Sequence, residues 1–289
     1  MILIDLNQVM VSNLMTQLGN HSNAKIEEGL VRHMVLNSIR SYKQKFGEEY
    51  GEIIIACDDK NYWRRKLYPY YKANRKKARE ASDIDWNTIF ECFNLIREEL
   101  NQYFPYRVLR IDTAEADDII STLVHQNGVY LMSSGAPKIL ILSGDKDFIQ
   151  LQKFANVKQY DPVRKKYIST NNPEVYLKEH IMKGDSGDGV PNFLSADDVF
   201  ISSIRQKPVR QKSLDSWVAN NKPEDFCDDA MLRGYKRNEA LIDLSKIPDD
   251  IKGAILTQYT AQEGKKRGDL FGYFIKYKLK NLMISIGEF

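Results

Sequence analysis

The sequence predicts an α/β fold: a central, mostly parallel sheet flanked by helices, followed by a smaller, mainly helical C-terminal region. Three observations predict it. Ile2–Asp5, residues 53–58 and residues 139–147 each begin with an aliphatic run of strand length and end in aspartate. Uninterrupted aliphatic runs of this kind suit strands buried on both faces of a parallel sheet. Strand-like and helix-like segments alternate over the first 150 or so residues, and beyond about residue 155 the pattern becomes mainly helical.

A strand is expected first, over 2–6, and then a helix over 24–46, where Leu30, Met34, Ile39 and Tyr42 lie near helical spacing. The run at 52–58 is a second strand. Residues 85–103 form a second helix, with Ile89, Phe93, Ile96 and Leu100 three and four apart and Pro105 ending it. A strand over 104–111, a helix over 114–125 capped by Thr113, and a strand over 138–142 come next, and Asp147 opens a short helix ending near Lys153. Residues 157–160 and 166–169 pair as a hairpin around Asp161 and Pro162. Asn172 and Pro173 mark the start of another helix, as cap and first helical residue. The basic, proline-containing stretch 205–213 reads as a mobile loop, and 265–280 as a docked amphipathic terminal helix.

Composition narrows the class without naming it. With 289 residues, 43% hydrophobic and 28% charged, the chain can bury a full core. A net charge of +3 announces no partner by itself. Cys57, Cys92 and Cys227 lack metal-ligand spacing and read as reduced thiols. No apolar stretch approaches the ~20 residues that span a bilayer, so a membrane is excluded as partner and a cytoplasmic location is the default.

In an open parallel sheet the C-terminal strand ends share one edge, where ligand crevices form. Asp5, Asp58, Asp145 and Asp147 are therefore expected to meet there, with Glu115, Asp117 and Asp118 from a helix start and Asp185 and Asp188 from a turn-rich stretch. Crowded carboxylates raise one another's pKa unless cations neutralise them. An all-oxygen set without His or Cys suits Mg²⁺ or Mn²⁺, and the chemistry suggested is metal-assisted phosphodiester hydrolysis. An aspartyl-phosphate phosphatase would place its Asp-x-Asp pair after the first strand, where this chain has only Asp5 followed by Leu6 and Asn7.

Residues 62–79 carry eight Lys or Arg, five aromatics and no acid. Charge of one sign interleaved with rings is what tracking phosphates and stacking on bases requires. The segment comes after the strand that ends at Asp58, so its cations offset the repulsion between carboxylates and a nucleic-acid backbone.

This ordered set resembles the 5′-nuclease superfamily of flap endonucleases and polymerase-associated 5′-exonucleases, and within it the RNase H branch of T-even bacteriophages. The likeness rests on Leu3–Asp5, Cys57 and Asp58 followed by Tyr62 to Arg65, Tyr71 to Arg75, Glu115 to Asp118, Ser143 to Phe148 and Lys183 to Asp188, and covers nearly the whole chain. It implies a PIN-like nuclease core over 1–182, a helical arch at about 60–82 and a DNA-binding helical region over 183–289. It also implies a monomeric Mg²⁺-dependent 5′ to 3′ exonuclease, flap endonuclease and ribonuclease H. Such an enzyme removes RNA primers and 5′ flaps in phage-type lagging-strand replication, by two-metal hydrolysis with Mn²⁺ able to substitute. Its location would then be the host-cell cytoplasm.

By match to the family motifs, Asp5, Asp58, Asp117 and Asp145, with Glu115 through water, hold the first metal. Asp147, Asp185 and Asp188 serve the second, Asp118 supports the site, and Lys72 and Arg75 face the scissile phosphate. Arg64, Arg65, Tyr71, Lys76, Lys77 and Arg79 are assigned to DNA. The expected partners are branched, flapped or nicked duplex DNA, RNA/DNA hybrids, a single-stranded-DNA-binding protein and a sliding clamp. Residues 189–198 lack the second glycine-rich turn through which relatives hold duplex phosphates with a monovalent cation. Arg205, Lys207, Arg210 and Lys212 are expected to replace that contact. A structure-specific DNA-binding module with a vestigial site and a PIN-like ribonuclease stand as alternatives.

Overall fold

In the computed structural model, which describes residues 1–18, 27–82, 84–133, 135–220 and 222–289, a six-stranded sheet runs through the centre of the chain. Strand β1 (Ile2–Asp5) passes without a loop into helix α1 (Leu6–Leu18). The expected strand includes Leu6, which instead opens this helix, and Val9, Met10 and Leu14 face the core. Helix α2 (Glu28–Tyr50) comes next; the expected start at 24 lies outside the described residues. After β2 (Ile53–Ala56), the basic aromatic segment forms two short helices, α3 (Arg64–Leu67) and α4 (Ala73–Glu80).

Helix α5 (Trp86–Tyr103) starts where the Asp85 carboxylate accepts the Thr88 amide, a cap worth ~1 kcal/mol. Strand β3 (Arg107–Leu109) is shorter than the 104–111 run. Helix α6 (Ala116–Asn127) is capped by Glu115 rather than Thr113. Thr113 sits at φ 62°, a left-handed turn that leads the chain into the helix, and Asp118 accepts the Glu115 amide at 2.8 Å. Beyond β4 (Ile139–Leu142), residues Lys146–Lys153 wind as a 3₁₀ helix, the tighter form of the short helix expected there. Strands β5 (Val157–Asp161) and β6 (Lys166–Ile168) form the expected hairpin, and α7 (Pro173–Lys183) starts on Asn172 as expected. The remaining chain contains α8 (Gln211–Val218), α9 (Asp229–Ile242), α10 (Asp249–Ala261), α11 (Leu270–Lys276) and α12 (Lys280–Met283).

The strand order is β3-β2-β1-β4-β5-β6, parallel throughout except for β6. Because side chains alternate along a strand, Ile2, Ile4, Ile53 and Ile55 meet one helical layer, and Leu3, Ile54, Ile139 and Ile141 meet the other. Both layers draw on the C-terminal region: Tyr273, Phe274 and Phe289 pack beside α1, α2 and α5, and Ile251 and Ile255 pack beside α6. A third cluster joins Tyr68 and Tyr71 to Ile181, Phe193, Tyr235 and Leu241 beneath the basic segment. The stretch expected to be a mobile loop is tied down instead. Asn192 bonds Gln206 and the Lys207 carbonyl, Ser195 accepts the Lys207 amide at 2.9 Å, and α8 begins at Gln211.

Candidate active site

Strands β2, β1 and β4 are neighbours, so the three acidic strand ends emerge side by side. At β1, Asp5 turns into α1, where its Oδ1 accepts the Gln8 amide. Asp58, two residues past β2, accepts the Asn7 side chain at 2.8 Å and the Ala116 amide at 2.7 Å. The second of these bonds fastens the start of α6 to the β2 exit and carries Asp117 to the same edge. Beyond β4, Gln8 accepts Ser143 Oγ at 2.9 Å and the Gly144 amide at 2.6 Å, and Gln159 donates to the Asp145 carbonyl. These bonds shape the loop presenting Asp145. Asp5, Asp58, Asp117 and Asp145 line one cavity of about 490 Å³ together with Lys72, Arg75 and Arg79.

A second group lies beyond Asp145. Helix α7 ends at Gly184, whose φ of 69° and approach to the Val190 and Pro191 backbone leave no room for a Cβ. The turn after it brings Asp185 against His180, and the described residues include one three-residue set with converging metal-ligand atoms: Asp147, His180 and Asp185, within 4.8 Å of one another. His180 lies 3.4 Å from each carboxylate. Sequence reading named no histidine at this place; burial lowers its pKa, but Asp185 and Asp147 outweigh burial and hold the imidazole above its ordinary range.

Asp188 sits apart from this trio. It accepts Tyr71 Oη at 2.9 Å, pairs with Arg75 and lies 3.5 Å from Lys72 Nζ. Glu115 is buried behind Lys72, held by Arg64 at 2.8 Å and by Tyr71 and Lys72.

Three residues given a site role by sequence are spent in the interior. Asp118, expected to support the site, is fully buried against Trp63 Nε1, Arg64 and the Glu115 amide, where it braces the α6 start and is closed off from the cavity. Arg64, 2% exposed, spends its guanidinium on Glu115, Asp118 and the Leu241 carbonyl, and Tyr71, 3% exposed, spends its hydroxyl on Glu115 and Asp188. Neither reaches the surface where DNA would run. Arg65, Arg75, Lys76 and Lys77 are exposed, Arg79 is half-buried, and Arg205, Lys207, Arg210 and Lys212 are exposed. Asp197 is paired with Arg233 and Arg237.

Crowding shows in the protonation equilibria. Burial, then Asp58 and Asp145, push Asp5 up to about 7. Burial and Asp145 raise both Asp117 and Asp147 well above the carboxylate range, and burial raises Asp145. Burial also opposes ionisation of Glu115, but Lys72 and Arg64 outweigh it and hold the group low. The His180 hydrogen bond holds Asp185 at about 2. Asp147 Oδ1 and His180 Nδ1 face each other at 3.4 Å, buried and without a hydrogen bond. Mutually repelling carboxylates and orphaned donor atoms fit a cation-binding site. Asp5, Asp58, Asp117 and Asp145 share the wall of one cavity, while the ligand atoms of Asp147, His180 and Asp185 converge on one another.

Residues 1–182 match the family model described as the 5′-3′ exonuclease, N-terminal resolvase-like domain, and residues 171–289 match that of the T4 RNase H C-terminal region. The chain belongs to the 5′-3′ exonuclease family. Among curated members, ribonuclease H of Enterobacteria phage T4 is 36% identical over 296 residues, covering 99% of this chain and 95% of the phage protein. A 5′-3′ exonuclease of Buchnera aphidicola subsp. Acyrthosiphon pisum is 26% identical, over 73% of this chain and 75% of its own. The fold is shared with the flap endonuclease of bacteriophage T5, solved as a pseudo-enzyme–product complex with DNA and metal ions. The TM-score is 0.58 at 17% identity, covering 91% of this chain and 98% of that one. This member of the exonuclease family is thus a nuclease, a hydrolase with phage relatives and the PIN-like, mostly parallel sheet its sequence led us to expect.

Proposed function

We propose that the protein is a Mg²⁺-dependent 5′ nuclease, with Mn²⁺ able to substitute, that removes RNA primers and 5′ flaps during lagging-strand DNA replication. The observation that carries this reading is the cavity in which Asp5, Asp58, Asp117 and Asp145 face Lys72 and Arg75 at the root of the exposed basic segment. Divalent ions bound there and at Asp147, His180 and Asp185 would supply charge neutralisation and Lewis-acid activation for phosphodiester hydrolysis. The protein's own groups do the rest. Glu115 and Asp188 hold Lys72 and Arg75 at the cavity wall, from where both cations reach a phosphate and oppose the negative charge that develops on it. Asn7 and the Ala116 amide fix Asp58 while Gln8 orients Asp5, which supports their reading as ligands held in place before an ion arrives. Arg65, Lys76, Lys77 and Arg79 would track the single strand, and Arg205, Lys207, Arg210 and Lys212 the duplex.

The T5 neighbour's complex with DNA and metal ions supports the substrate and cofactor class. The nuclease core is taken as 1–182 and the DNA-binding helical region as 183–289, working as a monomer that docks on a single-stranded-DNA-binding protein and a sliding clamp. Purified protein with Mg²⁺ is expected to cut 5′-flap DNA and the RNA of an RNA/DNA hybrid, leaving 5′-phosphate and 3′-hydroxyl ends, and to spare single-stranded RNA. Failure to cut either of the first two substrates with any divalent metal overturns the proposal.

A further inference from the structure

The wall of the cavity away from the carboxylates is aromatic. Helix α5 needs Ile89, Phe93, Ile96 and Leu100 for its core seam, and Phe90 lies off that seam, 39% exposed. Trp86, one helical turn earlier, is half-buried and stacks with Phe90 at a centroid separation of 5.8 Å and an interplanar angle of 30°. Its indole Nε1 lies 3.3 Å from Ser82 Oγ, a bond that fixes the ring. The Arg79 guanidinium stands 5.8 Å from the Phe90 centroid. Both rings and Arg79 line the same cavity as Asp5, Asp58, Asp117 and Asp145. Trp86 packs on the core behind it and Phe90 meets Phe93 edge-on, so the pair is held from behind while Phe90 keeps exposed surface at the cavity.

We infer that Trp86 and Phe90 form a stacking platform for an unpaired nucleobase of the strand being cut, holding the adjoining phosphate at the carboxylate end of the cavity. This rests on the nuclease reading above and adds a means of selecting unpaired over paired ends. A paired base within a stack has both faces covered, whereas a flap nucleotide offers a free face. Because every base has a π-face, the contact is tolerant of sequence. Arg75 and Arg79 supply the phosphate-facing charge beside it.

The test uses 5′-flap DNA carrying either a normal or an abasic first unpaired nucleotide, with wild type, Phe90→Ala, Phe90→Leu and Phe90→Tyr. Base stacking on an aromatic side chain corresponds to roughly a tenfold or larger change in affinity. Phe90→Ala and the abasic substitution are each expected to raise KM about tenfold by this measure. Together they should cost no more than either alone, since they delete the same contact. Phe90→Leu keeps apolar bulk and should behave as Phe90→Ala, and Phe90→Tyr should restore binding. In a Mg²⁺ complex with the cleavage-deficient Asp145→Asn protein, 2-aminopurine at that nucleotide should be quenched, and Phe90→Leu should relieve the quenching. Independent, multiplying effects of mutation and abasic site overturn the inference, as does unquenched 2-aminopurine with a wild type that still cuts the flap. A wild type that cuts neither flap nor hybrid overturns the nuclease reading instead, and variants that fail to fold leave the abasic and fluorescence comparisons on wild-type and Asp145→Asn protein to decide.

Discussion

Lys72 joins the acidic and basic halves of the site. It occupies the left-handed region at φ 56°, a costly conformation for a long side chain, and its Nζ is buried against Glu115 and near Asp188. Burial disfavours its charge, yet the carboxylates of Glu115 and Asp188 beside it outweigh burial and keep it protonated well above the ordinary lysine range. A fixed cation is therefore present at any working pH. Lys72→Ala is expected to slow single-turnover cleavage by about a hundredfold or more, with a smaller loss of flap affinity. Asp145→Asn should abolish cleavage and retain binding; a parallel loss of rate and affinity in both variants would remove these roles. Arg64 and Arg65 are adjacent in sequence and opposite in environment. Arg64→Met leaves Asp118 buried without its cation and Glu115 with Lys72 alone, and should cost on the order of 3–5 kcal/mol in denaturant unfolding. Arg65→Ala should leave stability unchanged and lower the salt slope of DNA binding by about one.

At the scale of elements, the site is assembled by the segments that leave the C-terminal ends of the strands. Strand β1 enters α1 at once, and the Asp58 bond to Ala116 docks the start of α6 on β2. The two halves of the basic segment differ in character: α3 is pinned to the core through Arg64, while α4 rests on the 185–188 turn through Asn74 and Arg75. Helix α11 lies far along the chain yet completes the layer over β1 and β2, with Phe274 fully buried against Phe104 and Phe289. Phe274→Ala should therefore destabilise the whole protein by about 3–5 kcal/mol. A single cooperative unfolding transition, shifted as a unit, is the expected readout; separate loss of a C-terminal transition would contradict the shared core.

For the whole molecule, the carboxylate cavity makes stability depend on pH and metal together. Asp5 has a folded pKa of about 7, above that of an unfolded aspartate near 3.9, because of burial, Asp58 and Asp145. The metal-free fold thus binds more protons than the unfolded chain between these values. Its contribution to stability is fully present below about pH 4 and is lost as the pH rises through about 7. Asp117, Asp145 and Asp147 act in the same direction. In EDTA the Tm should fall between pH 5 and pH 8. If these carboxylates bind Mg²⁺ as proposed, the ion should raise the Tm more at pH 8, where they are ionised, than at pH 5. Equal metal effects at both values would contradict coupling between these carboxylates and a cation.

The sequence by itself determined the sheet, most helices and the meeting of the strand-end carboxylates, because buried parallel strands need continuous aliphatic runs and deliver their ends to one edge. It missed α1, whose helical pattern begins directly at the end of β1 with no intervening turn signal. It also missed His180 as a neighbour of Asp147, because that contact spans two elements with no fixed spacing. Only the tertiary structure decided which charges are used up inside. Identical residue types in one basic run become a buried brace at Arg64 and a solvent-facing cation at Arg65, and two adjacent aspartates become a cavity wall at Asp117 and a helix brace at Asp118. Residue type and periodicity specify a face, whereas burial and partner depend on what the rest of the chain packs against it.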